Sequence, residues 1–188
     1  SQLADPKAES LRRRRELVIA CRLLASLKLD WGTAGHITVR DAEDPDCFWV
    51  NAYGRHFGTL GLDDLLLVDA KGKVLRGSGT LNPASFAVHA AIHEARPEVM
   101  AAAHGHPTHG KAWASLGRLL DPISQDACVF FEDHAVLELY SGVVLSDEEG
   151  RLITETLGQR KALILQNHGL LTVGRTLEAS IFWFIAMD

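Results

Sequence analysis

His104 and His106 close an apolar run that begins at Val99, and this segment constrains the chain more than any other. A run of that kind reads as a strand, and alternate strand side chains share a face, so the two imidazoles project to one side. A third histidine, His168, follows a second apolar run, Ala162 to Leu165. If the two strand ends are neighbours in one sheet, three neutral ring nitrogens grip one cation and leave coordination positions open. That arrangement suits a catalytic rather than a structural metal.

The 188 residues are 47% hydrophobic, enough for a sizeable core, and a single domain over residues 1–188 is expected. The chain begins with Ser and stops at Asp188 inside a helical pattern, so it reads as truncated at its C-terminal end. A net charge of −5 argues against attraction to nucleic acid or to an anionic membrane. The run Arg12 to Arg15 reads as a solvated helix face. Cys21, Cys47 and Cys128 have no framework spacing, and there is neither a leader pattern nor an apolar stretch of membrane-spanning length. A cytoplasmic protein without disulfides or a membrane partner is expected.

Periodicity places an amphipathic helix over about Ala8 to Leu27, carrying Leu11, Val18, Ile19, Leu23, Leu24 and Leu27. A turn at Trp31 to Gly35 precedes short strands at His36–Arg40, Cys47–Val50, Leu65–Asp69 and Lys73–Leu75. Pro83 to Ala95 reads as a helix stopped by Pro97, and Pro107 to Leu116 as another that opens on its proline. Ser146 caps an acidic first turn at Asp147, and that helix runs to Leu157. Strands at Ala162–Leu165 and Leu170–Val173 precede a last helix from Thr176. The predicted architecture is an α/β/α sandwich around a central, mostly antiparallel sheet.

The ordered blocks Gly35 to Arg40, Asp63 to Asp69, Ala95 to Val99, His104 to Pro107 and Asn167 to Gly169 resemble the class II aldolase/adducin family. The resemblance implies the same α/β/α fold, a homotetramer with sites at subunit boundaries, and a divalent metal on His104, His106 and His168. Sugar-phosphate members carry a Ser-Ser-Glu segment whose glutamate handles the proton; Pro83, Ala84 and Ser85 stand there in this chain. A serine hydroxyl is no general base near neutral pH without an activator. Gly32 and Tyr53-Gly54 hold the places of phosphate-binding groups, which implies a substrate lacking that phosphate.

Arg55 offers a fork for a carboxylate, and Tyr53 and His36 complete the candidate substrate-binding set. Ser85 and His134 are the catalytic candidates, and His36 and His109 are further proton-relay candidates. His89 and His93, at i and i+4 on one helix, read as packing residues. The implied branch resembles metal-dependent decarboxylases of aromatic acids and non-heme iron oxygenases of aminocoumarin pathways. The expected activity is therefore carbon–carbon cleavage of a small non-phosphorylated carboxylate with Fe, Zn or Mn, by decarboxylation or its oxygen-dependent form. A sugar-phosphate aldolase or epimerase and an adducin-like interaction module are the alternatives.

Overall fold

In the computed structural model, residues 5–138 and 147–188 are described, apart from the side chains of 83–85, 147 and 149. The expected cap at Ser146 lies outside them. Eight strands form one sheet: β1 His36–Arg40, β2 Cys47–Asn51, β3 Leu65–Asp69, β4 Val74–Arg76, β5 Ala101–Gly105, β6 His134–Leu137, β7 Ala162–Leu165 and β8 Gly169–Gly174. Their order is β4-β3-β2-β1-β5-β8-β7-β6, antiparallel throughout except for the parallel pair β6 and β7.

Six α-helices lie among the described residues: α1 Pro6–Ser26, α2 Pro83–Ala95, α3 Thr108–Ala114, α4 Gln125–Cys128, α5 Asp147–Leu157 and α6 Leu177–Met187. Alternation along each strand sorts the core into two layers. Ile37, Trp49, Leu67, Ala103 and Ile164 pack with Leu17 and Leu24 of α1 and with Ile181 and Phe184 of α6. Their neighbours on the opposite face, Ala102, Leu163, Leu171 and Val173, meet Val88 and Ile92 of α2 and Ile153 and Leu157 of α5. The result is an α/β/α sandwich with a mostly antiparallel sheet. Because helices cover both faces, Leu65 to Val68 and Ala162 to Leu165 are apolar at consecutive positions.

Three expectations change at this level. Helix α1 buries Leu17, Ala20, Cys21 and Leu24 but leaves Ile19, Leu23 and Leu27 exposed, so its apolar residues lie on two sides. The arginine run is not one solvated face either: Arg12 pairs with Glu9 and Glu16, Arg13 donates to the carbonyl of Arg40 at 2.8 Å, and Arg14 lies over the Trp49 ring. Strand β6 and the short helix α4 carry too little periodicity to be read in advance. Among the described residues, no helix is long and apolar enough to cross a membrane.

Leu163 is fully buried at the centre of the α2/α5 layer. Leu163→Ala is expected to lower unfolding stability by about 2–5 kcal/mol, read as a shift of the urea midpoint at unchanged slope.

Candidate metal centre

Strand pairing assembles the site at one end of the sheet. His104 in β5 stands opposite His36 in β1 on one side and Leu171 in β8 on the other. His106 follows immediately, while His168 occupies the tight turn between β7 and β8, where Leu165 pairs with Gly169. Asn167 takes a left-handed conformation, φ 58°, in that turn. Gly169 permits the close approach: a Cβ there would strike the carbonyl of Gly105 and lie 2.9 Å from His106 Cδ2.

The three rings form a triangle with centroid separations of 5.1, 4.7 and 4.8 Å. One ligand nitrogen from each lies within 4.8 Å of the others, and no carboxylate joins the group among the described residues. His104 Nδ1 is 2.8 Å from the carbonyl of Leu170, which can only accept; the ring proton is therefore on Nδ1, and Nε2 is left as the ligand atom. His106 Nε2 is buried with no protein partner, an arrangement that costs about 1–3 kcal/mol. A cation would satisfy it. The residues present thus fit a divalent metal.

The electrostatics agree, because a metal ligand must be a neutral imidazole. Burial, reinforced by the neighbouring His36, His168 and His106, holds His104 well below the usual histidine range. Burial next to His168 and Lys111 lowers His106 to about 4, and burial lowers His168. At neutral pH none of the three carries a charge.

The other expected site residues divide. His36 comes to the cluster: it is 8% exposed, its ring centroid lies 4.9 Å from that of His104, and its Nε2 is buried without a partner. Continuing the β1/β2 register puts Ala52 opposite His36, so the loop bearing Tyr53 and Arg55 leaves from the same sheet end. Both side chains are exposed there, and the Arg55 guanidinium is 3.3 Å from Asp64. The backbone of Ser85 lies in the first turn of α2; its side chain is outside the described residues.

His134 is not brought to the cluster. It pairs with Ala162 at the end of β7 away from His168, and backbone groups occupy both ring nitrogens: Nδ1 is 2.6 Å from the Phe130 carbonyl, and Nε2 accepts from Leu120 N–H at 2.8 Å. Such a ring pins a loop to an edge strand, away from the three imidazoles where a catalytic role was expected. His109 is also elsewhere, 3.0 Å from the Asp188 carboxylate. Burial raises the thiols of Cys21 and Cys47, the latter to about 11 with Asp44 beside it, consistent with neither being a nucleophile.

Sequence reasoning missed one set of links. His89 and His93 are completely or almost completely buried, as packing residues would be, but they share a polar partner: Thr38 Oγ1 is 2.7 Å from His89 Nδ1 and 2.8 Å from His93 Nε2. The i, i+4 spacing put the two rings on one face of α2. The strand at His36–Arg40 was expected, but its contact with α2 across 51 and 55 residues leaves no local signal in the chain.

Comparison with known proteins bears on the same architecture. Residues 15–188 match the family model described as Class II Aldolase and Adducin N-terminal domain. Over 172 residues the chain is 44% identical to 4-hydroxy-3-prenylphenylpyruvate oxygenase/4-hydroxy-3-prenylbenzoate synthase of Streptomyces roseochromogenus subsp. oscitans, covering 90% of this chain and 62% of that protein. The same identity and share of this chain relate it to Decarboxylase NovR of Streptomyces niveus, of which 64% is covered. The chain thus spans less than two thirds of either relative. Among solved structures, L-fuculose 1-phosphate aldolase from Glaciozyma antarctica PI12 superposes with a TM-score of 0.90 at 43% identity, over 100% of this chain and 73% of that one.

Two outcomes follow from the geometry. Gly169→Ala is expected to push the β7–β8 turn off the end of β5 and to reduce bound zinc well below one equivalent, measured by elemental analysis. The second concerns acid. An unfolded histidine protonates near pH 6.5, whereas the buried His36, His89, His104, His106 and His168 resist protonation when folded. The unfolded state therefore binds more protons below that value. The urea midpoint of metal-free protein should be level above about pH 7 and fall as the pH drops from 6.5 toward about 4, where His106 protonates.

Proposed function

The chain belongs to the class II aldolase and adducin N-terminal domain family, and from that premise we propose that it is a divalent-metal enzyme of the non-sugar-phosphate branch. Its substrate would be a small non-phosphorylated carboxylate, an aromatic 2-oxo or hydroxy acid. Its reaction would be carbon–carbon cleavage, by decarboxylation or by an oxygen-dependent variant. The observation that carries this reading is the cluster of three neutral imidazoles with no carboxylate beside it among the described residues. The two Streptomyces relatives, one named an oxygenase/synthase and the other a decarboxylase, support the same chemistry.

His104, His106 and His168 would hold the metal. A bound divalent cation would supply Lewis acidity toward the charge that develops as the bond breaks, and iron would add redox chemistry that zinc lacks. The protein's part is orientation and exclusion of water. Leu170 fixes the tautomer of His104, His36 lines the cluster on the β1 side, and the sheet end buries His104 while leaving His106 and His168 half-buried. Decarboxylation asks for an electron sink and no strong base, which agrees with a serine at position 85. Tyr53 and Arg55 would serve as rim residues for the substrate, and Ser85 remains the catalytic candidate on α2.

The native metal, whether iron, zinc or manganese, is part of this proposal, as are one domain over residues 1–188, a cytoplasmic homotetramer, and a small-molecule partner. A second reading, a sugar-phosphate aldolase, is favoured by the 43% identity to the solved L-fuculose 1-phosphate aldolase.

His104→Ala is expected to abolish bound metal and turnover together while the far-ultraviolet dichroism stays native; stoichiometric metal with normal activity in that variant refutes the ligand assignment. Turnover of aromatic 2-oxo and hydroxy acids and of L-fuculose 1-phosphate, with Fe(II), Mn(II) and Zn(II), with and without oxygen, separates the reactions. Oxygen uptake identifies an oxygenase and carbon dioxide release without oxygen a decarboxylase. Cleavage of the sugar phosphate alone establishes the second reading.

A further inference from the structure

The end of β5 carries a cation that no acid answers. The segment from Leu29 to Gly35 crosses that strand end: a Cβ on Gly35 would lie 3.2 Å from the carbonyl of His104, and one on Gly105 would lie 3.9 Å from the carbonyl of Leu29. Trp31 stands in the turn between those two contacts, where its carbonyl accepts from Ala34 N–H at 2.9 Å. Its side chain is 61% exposed, and Lys111 Nζ lies 3.6 Å from the centroid of its ring.

Lys111 reaches this turn from the other metal-bearing segment. It sits in α3, five residues after His106, and its N–H donates to the carbonyl of Pro107 at 2.9 Å. Helical side chains lean toward the N-terminus of their own helix, so its stem runs back over Pro107, toward His106 rather than away from it. The charge is felt there: together with burial and His168, Lys111 favours the neutral form of His106.

Among the described residues, the Lys111 ammonium has neither an ion pair nor a hydrogen bond. Nearby acids are engaged elsewhere: the Asp30 carboxylate is 3.1 Å from His56 Nε2, and that of Asp64 is 3.3 Å from the Arg55 guanidinium. The face of Trp31 contributes about 0.5–1 kcal/mol at an exposed place, which holds the ammonium without cancelling its charge. A positive charge next to three neutral imidazoles that fit a divalent cation is unfavourable until an anion joins them.

We propose that Lys111, held over Trp31, is a substrate-binding residue that takes the carboxylate of the acid bound at the metal centre. The proposal rests on the carboxylate reading above and supplies the cation that reading needs, since Arg55 already faces Asp64. The preferred ligand keeps its carboxylate charged; the corresponding neutral amide offers Lys111 no charge to meet. A surface lysine lying on an indole by chance makes no such distinction.

Two measurements on the whole chain test it. Competition with a chelator at low ionic strength reads the zinc affinity of metal-free protein. Lys111→Met is expected to bind zinc about threefold more tightly, because a like charge has left the neighbourhood of the centre, and Lys111→Arg to match wild type. An unchanged or lowered affinity in Lys111→Met puts the ammonium out of reach of the centre and overturns the proposal, while the carboxylate reading stands.

Calorimetric titration of zinc-loaded protein with benzoylformate and with benzoylformamide gives the ligand arm. Lys111→Met is expected to weaken the acid about tenfold and to leave the amide unchanged, and Lys111→Arg to restore most of the loss. Wild-type affinity for the acid in Lys111→Met, or equal losses for acid and amide, overturns the assignment. Failure of the acid to bind wild type sinks the carboxylate reading and this proposal with it, an outcome that the zinc competition keeps distinct from a misplaced Lys111.

Discussion

The close approach of the β7–β8 turn to the end of β5 is the contact on which the centre depends. His104 and His106 share a side because of strand alternation, a local property. His168 joins them only because a backbone without a side chain passes the carbonyl of Gly105 and the edge of His106. The antiparallel pairing of β5 with β8 makes the approach possible, since it sets the start of β8 against the end of β5, where Gly105 faces Leu170. Tertiary register and one glycine thus build a trigonal set of donors from two distant segments.

Burial then gives those donors their chemistry. A histidine in water is partly protonated near neutrality, and a protonated ring cannot ligate. Here helices cover both sheet faces, and the rings lie close enough together that a positive charge on one opposes a positive charge on the next. Desolvation and mutual repulsion both favour the neutral form. The same crowding costs stability in acid and leaves ring nitrogens unsatisfied, so the centre is a place where local structure is less stable than an apolar core would be.

Much of this was legible in the chain. The His104/His106 pair at the end of an apolar run, the distant His168, the strand-then-helix order and the layered architecture all follow from period and punctuation, which are local quantities. The four-residue β6 and α4 were not legible, whereas β7, no longer than either, was, because its four residues are all apolar. The position of His134 was not legible either: an imidazole next to charged residues looks the same in sequence whether it faces a cleft or, as here, binds the backbone of Phe130 and Leu120. The contact of Thr38 with His89 and His93 was invisible because it needs the pairing of β1 with α2 across 51 and 55 residues.

The composition of the donor set has a further physical consequence. Three neutral nitrogens would leave a divalent cation its full formal charge toward whatever fills the remaining positions, whereas a carboxylate ligand would cancel one unit of it. The attraction between opposite charges at contact distance grows as the surroundings lose water, and here His104 is buried and His106 and His168 are half-buried. A centre of this kind favours an anionic, chelating ligand over a neutral polyol. It also strengthens the pull on electrons as negative charge develops in the ligand, so one change in the donor set acts on both binding and reactivity. A phosphate could answer the same charge, but it would need backbone amides and hydroxyls arranged around it. The resemblance implies that Gly32, Tyr53 and Gly54 take the places of such groups, and Tyr53 is exposed. With that correspondence, the charge of the donor set is the physical ground for the carboxylate proposed as substrate.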